Sequence, residues 1–202
     1  MNALIIVDLQ NDFTEGGALA VPDGNSIISV VNALAPKFDI VVATQDWHPA
    51  SHKSFASSHE GRKPFDKIQL HELDQVLWPD HCIQGTAGAE FHPELNTNPI
   101  EAVFRKGMNP DIDSYSGFHD NGHRKNTGLA GYLRDRNVTE VYVCGLAADY
   151  CVYFTAKDAL EEGFVAHIIE DATRPIDPEN FEKGKQDVLL QGGIITLSKV
   201  FF

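Results

Sequence analysis

The sequence predicts an α/β protein: a doubly wound, three-layer fold around a mostly parallel six-stranded sheet. Three observations predict it. Six short apolar runs recur along the chain, at Ala3–Val7, Ile40–Ala43, Ala102–Phe104, Val141–Cys144, Val165–Ile169 and Ile194–Leu197. Several are continuous rather than alternating, as expected of strands covered on both faces. Helical patterns lie between most of them, and alternating strand and helix gives this architecture.

Taken in order, the first run ends on Asp8. A Pro22-Asp23-Gly24 turn follows, and then Ile27, Ile28, Val30, Val31 and Leu34 form the apolar stripe of a helix. The second run leads into residues 44–101, rich in His, Pro, Asp and Trp, where only a short helical turn near Leu73–Leu77 is expected. Connections this long inside a compact domain are usually functional. The third run leads to Lys106. Thr127 is placed to cap a helix through Arg134. The fourth run is ended by Gly145, and the turn Leu146-Ala147-Ala148-Asp149 opens a helical pattern from about Tyr150 to Glu162. After the fifth run, Asp177-Pro178 places a capping carboxylate and a first-turn proline at the start of the last helix, which Gly192-Gly193 close before the sixth run.

Composition bounds the function. A chain of 202 residues fits one domain, 1–202, with a long loop at about 45–100. A net charge of −13 argues against a nucleic-acid partner, and no apolar stretch is long enough to cross a bilayer. Leu4-Ile5-Ile6-Val7 is too short for a cleavable signal and runs straight into Asp8. Three cysteines do not make a disulfide framework, so a reducing cytoplasm is expected. A homo-oligomer is compatible with this composition.

Three residues follow strand ends, where open α/β sheets bind ligands. Cys151 sits at a helix start, where the helix dipole and free backbone N–H groups stabilise a thiolate. Its bland alternative is core packing, the commoner fate of a free cysteine. Asp8 at the end of a buried strand is expensive unless paired or used, the alternative being a cap or loop staple. Lys106 near a thiol lowers its pKa; alone, a surface lysine is solvated. In Asp46-Trp47-His48, residues i and i+2 of an extended segment point the same way, so Asp46 and His48 can face one metal ion. His81, in Trp78-Pro79-Asp80-His81-Cys82, is the natural third ligand. Two imidazoles and a carboxylate leave open positions, the pattern of a catalytic site, although nine histidines make a chance Asp-x-His unremarkable. His52, His59 and His71 share the loop as rival ligands or polar surface. Cys82 points away from its neighbour His81, and Cys144 lies within its strand.

These pieces together resemble the nicotinamidases, or pyrazinamidases, of the isochorismatase-like cysteine hydrolases. The resemblance runs nearly end to end. It rests on Ile6-Val7-Asp8-Leu9-Gln10-Asn11-Asp12-Phe13, Gly16-Gly17-Ala18-Leu19-Ala20-Val21 and Thr44-Gln45-Asp46-Trp47-His48-Pro49. It continues through Trp78-Pro79-Asp80-His81-Cys82, Lys106-Gly107, Asp113-Ser114-Tyr115-Ser116 and Gly145-Leu146-Ala147-Ala148-Asp149-Tyr150-Cys151. The resemblance implies strand order 3-2-1-4-5-6 and a catalytic triad of Asp8, Lys106 and Cys151. It also implies metal ligands at Asp46, His48 and His81, and a non-proline cis peptide at Ala147–Ala148. The activity it implies is hydrolysis of nicotinamide to nicotinate and ammonia in NAD salvage, and of pyrazinamide, through a thioester. The oxyanion donors would be the backbone N–H groups of Ala148 and Cys151. Phe13, Trp78 and Tyr115 would wall the flat ring, with Ala147 against the substrate. One divalent ion is implied, zinc first, with iron and manganese also suited to these ligands.

Three rival readings fit the same residues. A relative of the same fold would cleave another small amide or an N-carbamoyl compound. A protein that kept only the fold would bind a metal or small molecule without turnover. A nucleotide-binding Rossmann protein would need a Gly-x-Gly-x-x-Gly after the first strand, which is missing.

Overall fold

The computed structural model describes residues 1–202. Six parallel strands form the central sheet: β1 (Asn2–Val7), β2 (Ile40–Asp46), β5 (Ala102–Lys106), β6 (Glu140–Leu146), β7 (Val165–Arg174) and β8 (Ile194–Thr196). Their spatial order is β5-β2-β1-β6-β7-β8, which counted within this sheet is 3-2-1-4-5-6. All five neighbouring pairs are parallel.

The side chains of β1 show why both faces need cover. Leu4 and Ile6 point into one apolar core with Ile28, Val31 and Leu34 of α1 (Ile28–Leu34). Ala3, Ile5 and Val7 point into the other. That second core takes Leu129 and Leu133 from α2 (Leu129–Asp135), Ala156 and Ala159 from α3 (Tyr153–Glu161), and Phe181 and Val188 from α4 (Pro178–Leu190). Asp177 caps α4 as expected, its carboxylate accepting from the N–H groups of Glu179 and Asn180. Thr127 Oγ1 accepts from Leu129 N–H at 3.2 Å, one position ahead of the N-cap itself, Gly128. No helix is long and apolar enough to cross a membrane.

Three local expectations are corrected. Leu73–Leu77 is not helical: β3 (Lys67–Leu70) and β4 (Leu73–Val76) form an antiparallel hairpin. The pattern from Tyr150 does not begin as an α-helix, because Ala148–Val152 form a wide π-type turn in which Val152 N–H donates five residues back to the Ala147 carbonyl at 3.1 Å. The cis peptide joins Leu146 to Ala147, one bond earlier than expected.

Order reverses between β1 and β6, the switch point at which doubly wound sheets bind ligands beyond their carboxyl ends. Asp8, Asp46, Lys106 and the turn bearing Cys151 all lie at that edge. The register places Asp46 opposite Lys106 and Val7 opposite Gly145. Gly145, at φ +111°, can hold no side chain: a Cβ there would overlap the Val7 backbone.

Candidate active site and metal centre

Lys106 is the hub of the site. It is buried, and its Nζ lies 2.8 Å from Asp8 Oδ2, 2.6 Å from Asp46 Oδ1 and 3.5 Å from Cys151 Sγ, while donating to the Ser114 carbonyl at 2.9 Å. One ammonium therefore joins a thiol to two carboxylates. Thr44 Oγ1 donates to Asp8 Oδ1 at 2.7 Å, fixing that carboxylate from its other side. Gln10 clasps the backbone of Asp46, its Nε2 donating to the Asp46 carbonyl and its Oε1 accepting the Asp46 N–H, both at 2.8 Å.

The electrostatics follow from burial opposed by pairing. Burial is the largest influence on Asp8 and raises its pKa despite the Lys106 ammonium. Burial works to raise Asp46 too, but Lys106 and His48 overcome it and hold that carboxyl well below its usual range. Burial would lower Lys106, and the two carboxylates outweigh it, keeping the amine charged. The Cys151 thiol is pushed well up, chiefly by burial, with Lys106 opposing and Asp8 and Asp46 adding to the rise. Burial thus works against the thiolate that the helix start favours, next to a carboxylate whose own affinity for a proton is raised.

Asp46, His48 and His81 present one ligand atom each within 4.8 Å of one another. His48 Nε2 lies 3.4 Å and His81 Nε2 3.7 Å from Asp46 Oδ2. The Nδ1–H of His48 donates to the Gly107 carbonyl at 2.9 Å, and that of His81 to the Pro79 carbonyl at 2.7 Å. These bonds fix the tautomer that turns both Nε2 lone pairs inward, the orientation that metal-ligating histidines adopt. The donor set thus fits a divalent ion. His52 lies outside this trio: its ring packs on His48 at 4.4 Å, its Nδ1 meets Ser54 Oγ, and burial pushes its pKa down to about 4. His59 turns its Nε2 to the Lys53 carbonyl. Cys82 is a fully buried core residue whose N–H donates to Asp12.

A small apolar cavity opens onto the Cys151 sulfur. Phe13, Trp78, Tyr115 and Ala147 line it, together with Asp46 and His81. Leu19, Asp113, Tyr150 and Ile176 also line it and were not singled out from the sequence. Tyr150 stands edge-on to Trp78 at 4.8 Å, and Trp78 Nε1 donates to the Tyr115 hydroxyl at 3.3 Å. Asp149 braces the cysteine turn by accepting the N–H groups of Ile176 and Asp177 at 2.8 and 2.9 Å.

A thiol, a proton-accepting carboxylate and a buried ammonium beside a flat apolar slot define a cysteine hydrolase site. Residues 2–199 match the isochorismatase domain. A nicotinamidase of Escherichia coli (strain K12) is 51% identical over 179 residues, covering 87% of this chain and 84% of the relative. Among solved structures, a nicotinamidase and pyrazinamidase of Acinetobacter baumanii superposes with a TM-score of 0.97 at 48% identity, covering 100% of this chain and 98% of its own. A pyrazinamidase of Pyrococcus horikoshii in complex with zinc superposes with a TM-score of 0.79 at 38% identity, covering 97% and 98%. The chain belongs to the isochorismatase family, on its nicotinamidase/pyrazinamidase branch.

Proposed function

We propose that this protein hydrolyses nicotinamide to nicotinate and ammonia, and pyrazinamide to pyrazinoate, through a thioester on Cys151. The single observation that carries the mechanism is the run of contacts from Cys151 Sγ, which lines the aromatic slot, to Lys106 Nζ and on to Asp8 Oδ2 behind it, at 3.5 and 2.8 Å. Asp8 accepts the thiol proton as the sulfur attacks the carboxamide carbon, and Lys106 stabilises the charge that this transfer creates. The N–H groups of Ala148 and Cys151 donate to the developing oxyanion, each worth about 3–4 kcal/mol in comparable sites. Protonated Asp8 returns its proton to the departing ammonia. Asp8 then activates the water that cleaves the thioester.

Asp46, His48 and His81 would hold the divalent ion, zinc by similarity to the zinc-bound pyrazinamidase. When bound, that ion supplies a Lewis-acid anchor for the ring nitrogen. Phe13, Trp78, Tyr115 and Ala147 confine the ring, so that the amide faces the sulfur. Residues 1–202 act as one hydrolase unit, and the three free cysteines suit a reducing cytoplasm.

An ammonia-release assay on nicotinamide tests the reading. The wild-type protein should release ammonia, and Cys151→Ala should fold normally and lose turnover by roughly 10³-fold or more. Full turnover by Cys151→Ala would reject the nucleophile. A chelator should weaken nicotinamide binding more than it lowers the unfolding midpoint. An amide panel separates this substrate from other small amides and N-carbamoyl compounds.

A further inference from the structure

A second cleft, of about 320 Å³, lies against the active-site wall and shares Tyr115 with it. The proposed reaction uses none of its polar residues. Asp158 and Glu161 stand three residues apart on α3, and so on one helix face. His123 approaches from the loop ahead of α2. Its Nε2 lies 3.3 Å from Asp158 Oδ1 and its Nδ1 4.0 Å from Glu161 Oε2. The three residues offer ligand atoms within 4.8 Å of one another. His119 stacks on the His123 ring at 4.7 Å and 14°, and is itself held by Glu162 at 2.6 Å.

A separate observation points to a ligand. Asp158 is 3% exposed, lines the cleft, and its Oδ2 is buried with no hydrogen-bond partner. Asp120, 8% exposed and lining the same cleft, also leaves a buried Oδ2 unpartnered. A buried carboxylate oxygen poor in donors is costly, and only the His123 ring and the Ser116 hydroxyl face the Asp158 carboxylate.

We propose that His123, Asp158 and Glu161 form a second divalent-cation site, distinct from the Asp46–His48–His81 centre. One imidazole and two carboxylates suit a transition-metal ion such as Mn²⁺ or Zn²⁺ better than an all-oxygen Ca²⁺ cage, and they leave positions for water. Its structural effect is to tie the loop bearing Ser114 and Ser116 to the helix that follows Cys151. Ser114 supplies the carbonyl that accepts from Lys106, so the tie reaches the catalytic hub.

The test titrates Mn²⁺ into the Zn²⁺-loaded protein and counts free Mn²⁺ by electron paramagnetic resonance. One additional Mn²⁺ should bind per chain, with a single imidazole nitrogen coupling in pulsed spectra. His123→Ala should abolish that coupling, and His123→Ala and Glu161→Gln should each weaken binding roughly tenfold or more. Both side chains are about half exposed, so both variants should keep the fold and the basal nicotinamide turnover measured without Mn²⁺. No additional Mn²⁺ on the wild-type chain, or binding undiminished in both variants, overturns the proposal.

Discussion

At the residue scale, Lys106 decides how the site is built. Its ammonium compensates two buried carboxylates that would otherwise face each other with no counterion. Removing one partner of a buried ionic cluster typically costs about 3–5 kcal/mol. Lys106→Met should therefore lower the urea midpoint steeply as well as abolish ammonia release. A variant that loses activity while keeping its midpoint would show that Lys106 does not hold the cluster together. Asp8→Asn is a different case, because its amide oxygen can still accept from Lys106 while its NH2 donates to Thr44 Oγ1, whose hydroxyl is free to turn. It should keep the fold and lose turnover by roughly 10²–10⁴-fold, the loss typical of a missing general base. Gly107 offers a third probe. It sits at φ +66° against the His48 ring, and a Cβ there would overlap that ring. Gly107→Ala should weaken metal affinity by roughly 10–100-fold, as displacing the group that orients a ligand does. Metal quantification after dialysis measures it, and unchanged affinity would remove His48 as a ligand. Asp8, Lys106 and Cys151 could be found in the sequence because each follows an apolar run, which puts it at a strand end. The Ser114 carbonyl could not, since a backbone acceptor carries no residue signature. Tyr150 was hidden because an aromatic at a helix start reads as packing.

At the element scale, the four inner strands β2, β1, β6 and β7 were legible because burial on both faces demands unbroken apolar runs, and the edge strands β5 and β8 showed as shorter apolar runs although they are half exposed. Their ends were less so. The apolar run at Val165–Ile169 stops early, yet β7 continues to Arg174, because Thr173 and Arg174 pair with Gly145 and Leu146 beyond a bulge. The β3–β4 hairpin was read as a helical turn for a specific reason. Its two-residue loop, His71-Glu72, has both residues at positive φ, 48° and 70°. Such loops are usually announced by Asn-Gly or Asp-Gly, and His-Glu gives no such signal. The cap of α4 was legible, since Asp177 followed by Pro178 is a strong local pattern. Asp177→Ala should cost about 1 kcal/mol in chemical denaturation. Ammonia release should change little, because the N–H of residue 177 that Asp149 accepts is backbone and survives the substitution. A large activity loss would mean that the cap, and not only Asp149, positions the cysteine turn.

At the scale of the whole molecule, the tyrosine hydroxyls are shielded from water to different degrees, most of all at Tyr115 and least at Tyr132. All five tyrosines, Tyr115, Tyr132, Tyr142, Tyr150 and Tyr153, have their pKa pushed upward, each first by burial. Tyr142 reaches about 12, aided by its hydrogen bond to Glu140. In the unfolded chain these hydroxyls ionise near pH 10. Between that pH and the folded values, the unfolded state has released protons that the native state keeps, so stability must fall as pH rises. Lys106 acts in the same sense, since its raised pKa makes the folded state hold a proton that the unfolded chain gives up sooner. The acidic surface adds to this, because a chain already at −13 gains further negative charge with every tyrosinate. The urea midpoint should thus decline from about pH 10 upward. Tyrosinate absorbance at 295 nm should rise cooperatively with the loss of far-ultraviolet ellipticity, rather than along a simple titration. Tyr142→Phe should flatten the decline between about pH 10 and 12 by removing one of the retained protons. Tyr115 and Tyr150 titrating smoothly near pH 10 in a chain that keeps its ellipticity would refute the shielding of these two hydroxyls, and with it the closed aromatic wall that they give the active site.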